Sequence, residues 1–564
     1  AALTLEGLTL TGGRTIGSEE QGGAVRALGD LTLLASTVSG NSTTGFLARG
    51  GGVYGANDVT LTNSTVSGNS TAGLGARGGG VIGFLGLTLI NSTVSGNSTA
   101  GENSDGGGVI GGDVTLIDST VSGNSTAGYD ARGGGVFGRL GLTLTNSTVS
   151  GNSTAGDNAP GGGVFGLLNV TLTNSTVSGN STAGVSADGG GINGSFEVTL
   201  TNSTVSGNRT TGEYSDGGGV YGFTGVTLTD STVSGNSTTG DRAPGGGVWS
   251  LSDVTLTDST VSGNSTAGEF AGGGGVYGRN DVTLSNSTVS DNSTAGRSSK
   301  GGGIRGGAFG PGGDVTLTNS TVSGNSTAGY FAEGGGVFGR NDVTLTNSTV
   351  SRNSTAGRFA AGGGVFGRDD VTLTDSTVSG NRTAGDGAGG GGIRGGAFGP
   401  GGDVTLTNST VSGNSTAGDG AGGGGISGGA FGRGGDVTLT NSTVSGNRTA
   451  GYFSSGGGVL GRNDVTLTNS TVSGNRSGGD SATGGGVFGR ADVTVSNSIV
   501  LGNAAATDPE ISGLFTEDGP NIIGGETPAD VFAAIDPATG GGQLAANGGP
   551  TETIALLPGG LAVD

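Results

Sequence analysis

The string Ser-Thr-Val-Ser-Gly-Asn returns along almost the whole chain, and its period limits the fold more than any other feature. Its central apolar residue falls at Val38, Val66, Val94, Val121 and onward to Val500, mostly 28 residues apart, with one spacing of 27 and three of 33. Leu10 extends the frame one step back, giving 18 units over residues 1–503. A unit this short cannot bury a core alone, but stacked units share one. Val59 and Leu61 alternate with Thr60 and Thr62, the period-2 pattern of a strand with one buried face. No unit carries a 3.6-residue apolar stripe, and the Ser, Thr and Gly content opposes helix. The expected fold is all-β, a single parallel β-solenoid with three short strands per coil. Coils stacked at about 4.8 Å would make a rod on the order of 85 Å long.

The period also overturns what composition suggests. Gly accounts for 135 of 564 residues, which without a period reads as disorder. Here most Gly has an address, in the triplet before Val53 and its copies or in the turn before Asn69 and its copies. Cys and His are absent and Lys300 is the single lysine. Disulfides, thiol nucleophiles, His-ligated zinc and Ser-His-Asp triads are therefore excluded. A net charge of −21 argues against nucleic acid and anionic membranes as partners. No segment is long and apolar enough to span a membrane. The chain starts at Ala with no leader, as a mature or partial chain would. Residues 1–503 are expected to form the repeats, and 504–564, which hold six of the ten prolines, irregular terminal coils and a C-terminal cap.

Two motifs per unit carry a resemblance. Gly22-Gly23-Ala24-Val25 and the later Gly-Gly-Gly-Val copies resemble the Gly-Gly-Ala-Ile element of polymorphic outer-membrane protein repeats. Val66-Ser-Gly-Asn69 resembles their Phe-x-x-Asn element, with Val for Phe. The tail motifs Asn497–Asn503, Asn521-Ile-Ile-Gly-Gly525 and Asn547–Pro558 are similar to the end of bacterial choice-of-anchor Q proteins. The resemblance implies a right-handed parallel β-helix on an exported bacterial surface protein, in a class with no common enzymatic activity.

Every repeated residue becomes a column. Val53, Val59, Leu61 and Val66 are the expected core, and Asn63 and Asn69 the expected turn ladders, since Asn tolerates left-handed turns and satisfies its own backbone. Asn-Ser-Thr is also a glycosylation sequon, but the ladders already require it. The residue after the buried Val is mostly apolar and is aromatic at Tyr54, Phe137, Phe165, Tyr221, Trp249, Tyr277, Phe338, Phe366 and Phe488, with Ile82, Ile110, Asn193 and Leu460 among the other copies. Alternation sends this column outward, so it is expected to form an apolar stripe fit for a lateral interface. The 33-residue units carry an extra Phe (Phe309, Phe398, Phe431), expected to fold over the gap where the column turns polar at Arg305, Arg394 and Ser427. Asp281, Asp342, Asp370, Asp464 and Asp492 form an acidic column that Arg279, Arg340, Arg368, Arg462 and Arg490 are expected to neutralise. Where Arg is missing, Asp113, Asp314, Asp403 and Asp436 are weak candidates for calcium; no other metal or cofactor is expected.

Functional expectations follow in order. The units are near copies, and no unit between residues 50 and 490 gathers the unique acids and bases a polysaccharide-cleaving enzyme needs, so no enzyme is expected. Leu3, Leu5, Leu8 and Leu10 enter the first coil at once, leaving an end that must pair with something. Leu3, Leu5, Leu8 and Leu10 at one end, with Ile554, Leu556 and Leu557 at the other, are the expected end-to-end contacts of an extracellular, cell-surface fibre or stalk that self-associates head to tail. The first alternative is an adhesin that binds carbohydrate or another surface protein through the variable loop edge and the aromatic column. The second is ice binding by the Thr-x-Thr face, which resembles that of insect antifreeze proteins.

Overall fold

A computed structural model describes residues 2–307, 312–396, 402–429 and 435–562. The coil beginning at Val53 has four short strands, Val53–Gly55, Val59–Thr62, Thr65–Ser67 and Ser70–Ala72. Each pairs in parallel with its copy in the next coil, Val53 opposite Val81, Leu61 opposite Leu89, Val66 opposite Val94 and Thr71 opposite Thr99. The first two strands share one sheet and fuse into single strands at Val81–Ile90 and Val109–Ile117. Three parallel sheets therefore enclose the lumen, one of them built from two strands per coil. The solenoid has about 18 turns, as the period requires.

Val53, Val59, Leu61 and Val66 are at most 1% exposed, and burying each contributes about 2 kcal/mol. Asn69 also points inward. Its Nδ2 donates to Asn97 Oδ1 at 2.9 Å and to Val38 O at 3.1 Å, and its backbone N donates to Asn97 Oδ1 at 2.9 Å. Each such amide thus closes a turn and locks the next coil in register. Asn63 behaves differently: it is exposed with φ 49°, and Asn91 Nδ2 reaches Asn63 Oδ1 at 2.6 Å. A column absent from the sequence expectations runs beside it: buried Ser64 accepts from Ser36 N at 3.1 Å, and its hydroxyl donates to Thr62 O at 2.8 Å. The Gly triplet is needed because a Cβ on Gly51 would lie 2.3 Å from Gly79 O.

The chain divides into two compact units, Ala1–Tyr277 and Gly278–Asp564. Unit 1 opens with Leu3–Glu6, paired in register to Leu31–Leu34. Leu3 and Leu8 are exposed, and Leu5 and Leu10 half-buried. In unit 2 the last full coil pairs with the edge strand Ile511–Asp518, and Val500 with Ile523. The chain then leaves the coil axis and packs against the outside of the second sheet. Thr410 Oγ1 donates to Glu552 O at 2.6 Å and Gly542 N to Ser473 Oγ at 3.0 Å. Ile554 is buried there with Leu501, Val531 and Phe532, and Leu557 N donates to Val531 O at 2.8 Å. Ile554, Leu556 and Leu557 are therefore side-packing residues rather than an end face, because the tail turns back along the coils. Among the described residues the only helical turn, Pro528–Val531, belongs to this tail, and none of them forms a helix long and apolar enough to cross a membrane.

Candidate functional site

The column after the buried Val does not form an exposed stripe. Tyr54, Ile82, Ile110, Phe137 and Phe165 make a second small core in unit 1, each at most 5% exposed. Trp249, Tyr277, Phe338 and Phe366 are buried as well, while Tyr221 and Phe488 are half-buried. Alternation does send these side chains out of the lumen, but the segment before each Gly triplet runs back over them. A Cβ on Gly78 would lie 2.3 Å from Ile82 Cγ1. Cations on that segment complete the cover, with Arg132 5.7 Å from the Phe137 ring centre and Lys300 Nζ 4.8 Å from that of Phe338. Rings stack along the column, Tyr221 on Trp249 at 4.6 Å and Phe338 on Phe366 at 5.4 Å. The proposed covering residues Phe309, Phe398 and Phe431 lie outside the described residues.

Charges inside the covering segment are unusual. Asp105 is buried between Arg77 and Arg132, with contacts of 3.5 and 3.2 Å; burial raises its carboxyl above the usual range and the arginines oppose that rise. Two coils of the same column carry acids in succession, Asp188 and Asp216. Burial pushes Asp188 up to about 7, although Asp216 N donates to its Oδ1 at 2.8 Å.

The acidic column of unit 2 is stabilised by the backbone. Gly313 N and Asp314 N donate to Asp281 Oδ1 at 2.9 and 3.0 Å, Asp370 N to Asp342 Oδ1 at 3.0 Å, and Asp436 N to Asp403 Oδ1 at 2.9 Å. Asp314, Asp403 and Asp436 are thus links in a backbone-bound ladder. Asp113 stands opposite Gly86 and below Gly141, so no second carboxylate faces it. Among the described residues no group of three His, Cys, Asp or Glu side chains is placed to hold a metal. Thr60 and Thr62 face outward and are half-exposed; Thr60 is in register with Thr32 and Thr88, but Thr62 stands between Leu34 and Ile90.

What stands exposed is the variable turn after the third sheet. Its tip has positive φ in successive coils, and the residues there include Asn103, Asp130, Asn158 and Ser186, with φ 53–56°. Small polar side chains tolerate that conformation. At other coils the same tip carries Tyr214, Phe270, Phe331, Phe359 and Phe453, with φ 55–60°. A bulky residue there is strained by about 1 kcal/mol or more. Burial does not repay it, for Tyr214 is 46% exposed, Phe270 47% and Phe453 74%. In unit 1 Arg242 lies 5.3 Å from the Tyr214 ring and 5.9 Å from Phe270. Glu213, Asp241 and Glu269 line the same shallow hollow of about 180 Å³. In unit 2 Phe331 and Phe359 stack at 5.5 Å, with Tyr330 edge-on to Phe331 at 4.4 Å. Sequence reading located this turn as a variable loop column, but the tip's backbone conformation, which singles out the aromatics, is visible only in the structure.

No curated protein matches the chain at a significant level. The family described as "Right handed beta helix region" matches residues 23–194, 191–366 and 276–523. The parallel register, the inward Val, Leu and Asn columns and this match over most of its length agree: the chain belongs to the right-handed β-helix family.

Proposed function

We propose that the chain is an extracellular adhesive solenoid, non-catalytic, whose coils are scaffold and whose variable turns contact a hydroxyl-rich surface such as a glycan. One observation carries this reading: exposed aromatic rings occupy turn tips whose backbone favours Asn or Gly. Mutual stacking offsets the strain at Phe331 and Phe359, but rings as exposed as Tyr214, Phe270 and Phe453 recover little of it, and backbone strain is found at functional positions. The rings have carboxylates and arginines beside them, so one edge offers both stacking faces and polar partners. The likeness of the repeats to those of bacterial surface proteins supports a place outside the cell. A glycan array probed with the full chain tests the proposal. Binding should fall when Tyr214 and Phe270, or Phe331 and Phe359, are replaced by Asn; binding unchanged by both pairs overturns it.

Head-to-tail assembly is the second reading, favoured by the free edge of Ile511–Asp518, where Leu514 and Phe515 are exposed. Against it, Glu517 stands opposite buried Val495 and so brings a carboxylate into an apolar column. An inward charge on an edge strand discourages pairing. In sedimentation velocity the natural chain should be a single species and Glu517→Leu should associate; a natural chain that forms long assemblies would restore the fibre reading.

A further inference from the structure

Unit 2 contains a groove of about 370 Å³ made by a break in the repeat. Phe366 is followed in the next coils by Arg394, then Ser427, then Leu460, all in register. Two bulky apolar residues of the covered column are thus replaced by a guanidinium and a hydroxyl. In the same two coils the covering segment shrinks to glycines, Gly387 and Gly389 in one and Gly420 and Gly422 in the other. The missing side chains leave the hollow, and the turn-tip rings of Phe331 and Phe359 wall it.

Arg394 is half-buried on the groove floor. Its Nε has no hydrogen-bond partner, and among the described residues no carboxylate lies within ion-pair distance of it. Glu333 lines the same groove and its charge acts on Arg394, but its carboxylate is engaged by Lys300. Burial pushes the Arg394 guanidinium down to about 10. A partly desolvated cation without an anion is costly, and a planar guanidinium fits a carboxylate through two parallel hydrogen bonds. Arg462 also lines the groove, and the rest of the lining is mostly apolar, so the anion's body must be apolar too.

We infer that this groove binds an organic carboxylate carrying a flat apolar body of one or two rings, with the carboxylate on Arg394 and the body against Phe359 and Phe366. The inference rests on the reading of the turn edge as a ligand-binding edge and gives the chemistry of one ligand there. Calorimetry on the full chain with 2-naphthoate, and with its neutral methyl ester, tests it. The carboxylate should bind at least about tenfold more tightly than the ester. Arg394→Gln should remove that preference and Arg394→Lys retain part of it. Ser427→Phe restores the side chain this column carries at Phe366, so it should fold and abolish binding of both compounds. Equal affinity for acid and ester, or binding that survives Ser427→Phe, overturns the inference. Tyr214→Asn, outside the groove, separates the two readings. It should reduce glycan binding and leave naphthoate binding intact; glycan binding left unchanged overturns the turn-edge reading, and naphthoate binding lost overturns the groove inference.

Discussion

Replacing Phe359 by Asn tests whether the turn-tip aromatics belong to the fold. Phe359 has φ 60° and is 39% exposed. Asn is at ease in that conformation, so the substitution relieves about 1–2 kcal/mol of backbone strain. It loses the stacking on Phe331 at 5.5 Å, worth about 0.5–1.5 kcal/mol, and about 1–2 kcal/mol of partial burial. The losses exceed the gain by about 1 kcal/mol at their midpoints, and the coil should lose less than about 2.5 kcal/mol. Seven residues on, Phe366 is fully buried, and Phe366→Ala should cost about 3–5 kcal/mol. Long repeat arrays do not unfold in one step, so the measurement is native-state hydrogen exchange of the ladder amide Asn381 N, bonded to Asn414 Oδ1 at 2.9 Å. Its opening free energy reads the local coil. If Phe359→Asn lowers it by more than about 2.5 kcal/mol, the turn aromatics are part of the packing and the functional argument from strain fails.

Two further tests address the scaffold. Asn97→Ala removes donors to Asn124 Oδ1 and Val66 O, at 2.9 and 3.0 Å, and the acceptor of Asn69 N and Nδ2. With buried partners left unsatisfied at about 1–3 kcal/mol each, exchange protection around Asn69 and Asn124 should fall by several kcal/mol; a change under about 1 kcal/mol would refute the ladder's role. Asp188, raised to about 7 by burial from an unfolded value near 3.9, favours the folded state only while protonated. Its contribution is full below about pH 4 and lost as pH rises through about 7. Partly screened by solvent, the loss should be about 2–4 kcal/mol. Asp188→Asn should flatten that slope in thermal melts between pH 4 and 8, and an unchanged slope would place the titration elsewhere.

The coil was legible because the period repeats a physical necessity: Val53, Leu61, Val66 and Asn69 point where their spacing sends them. The same spacing misled at Tyr54 and Phe366. Alternation tells which side chains leave the lumen, but not that a Gly-rich segment returns to cover them. The turn-tip aromatics were hidden for a different reason. Phe270 and Phe453 share no residue type with Asn103 or Ser186, and only their common positive φ marks them as occupants of one position. The break at Arg394 and Ser427 was visible in the sequence, yet its meaning as a cavity depended on Gly389 and Gly422 being bare in the same coils.

The inward Asn column has a mechanical consequence. Most of these amides join residues 28 apart, as Asn69 does to Asn97, so tension along the chain loads one coil's bonds before those of the next. A coil that peels away frees 28 residues, roughly 95 Å of extended chain, while its neighbour stays closed. Under tension such a chain lengthens stepwise and dissipates work at each step, so a short load opens single coils before it reaches the whole stack.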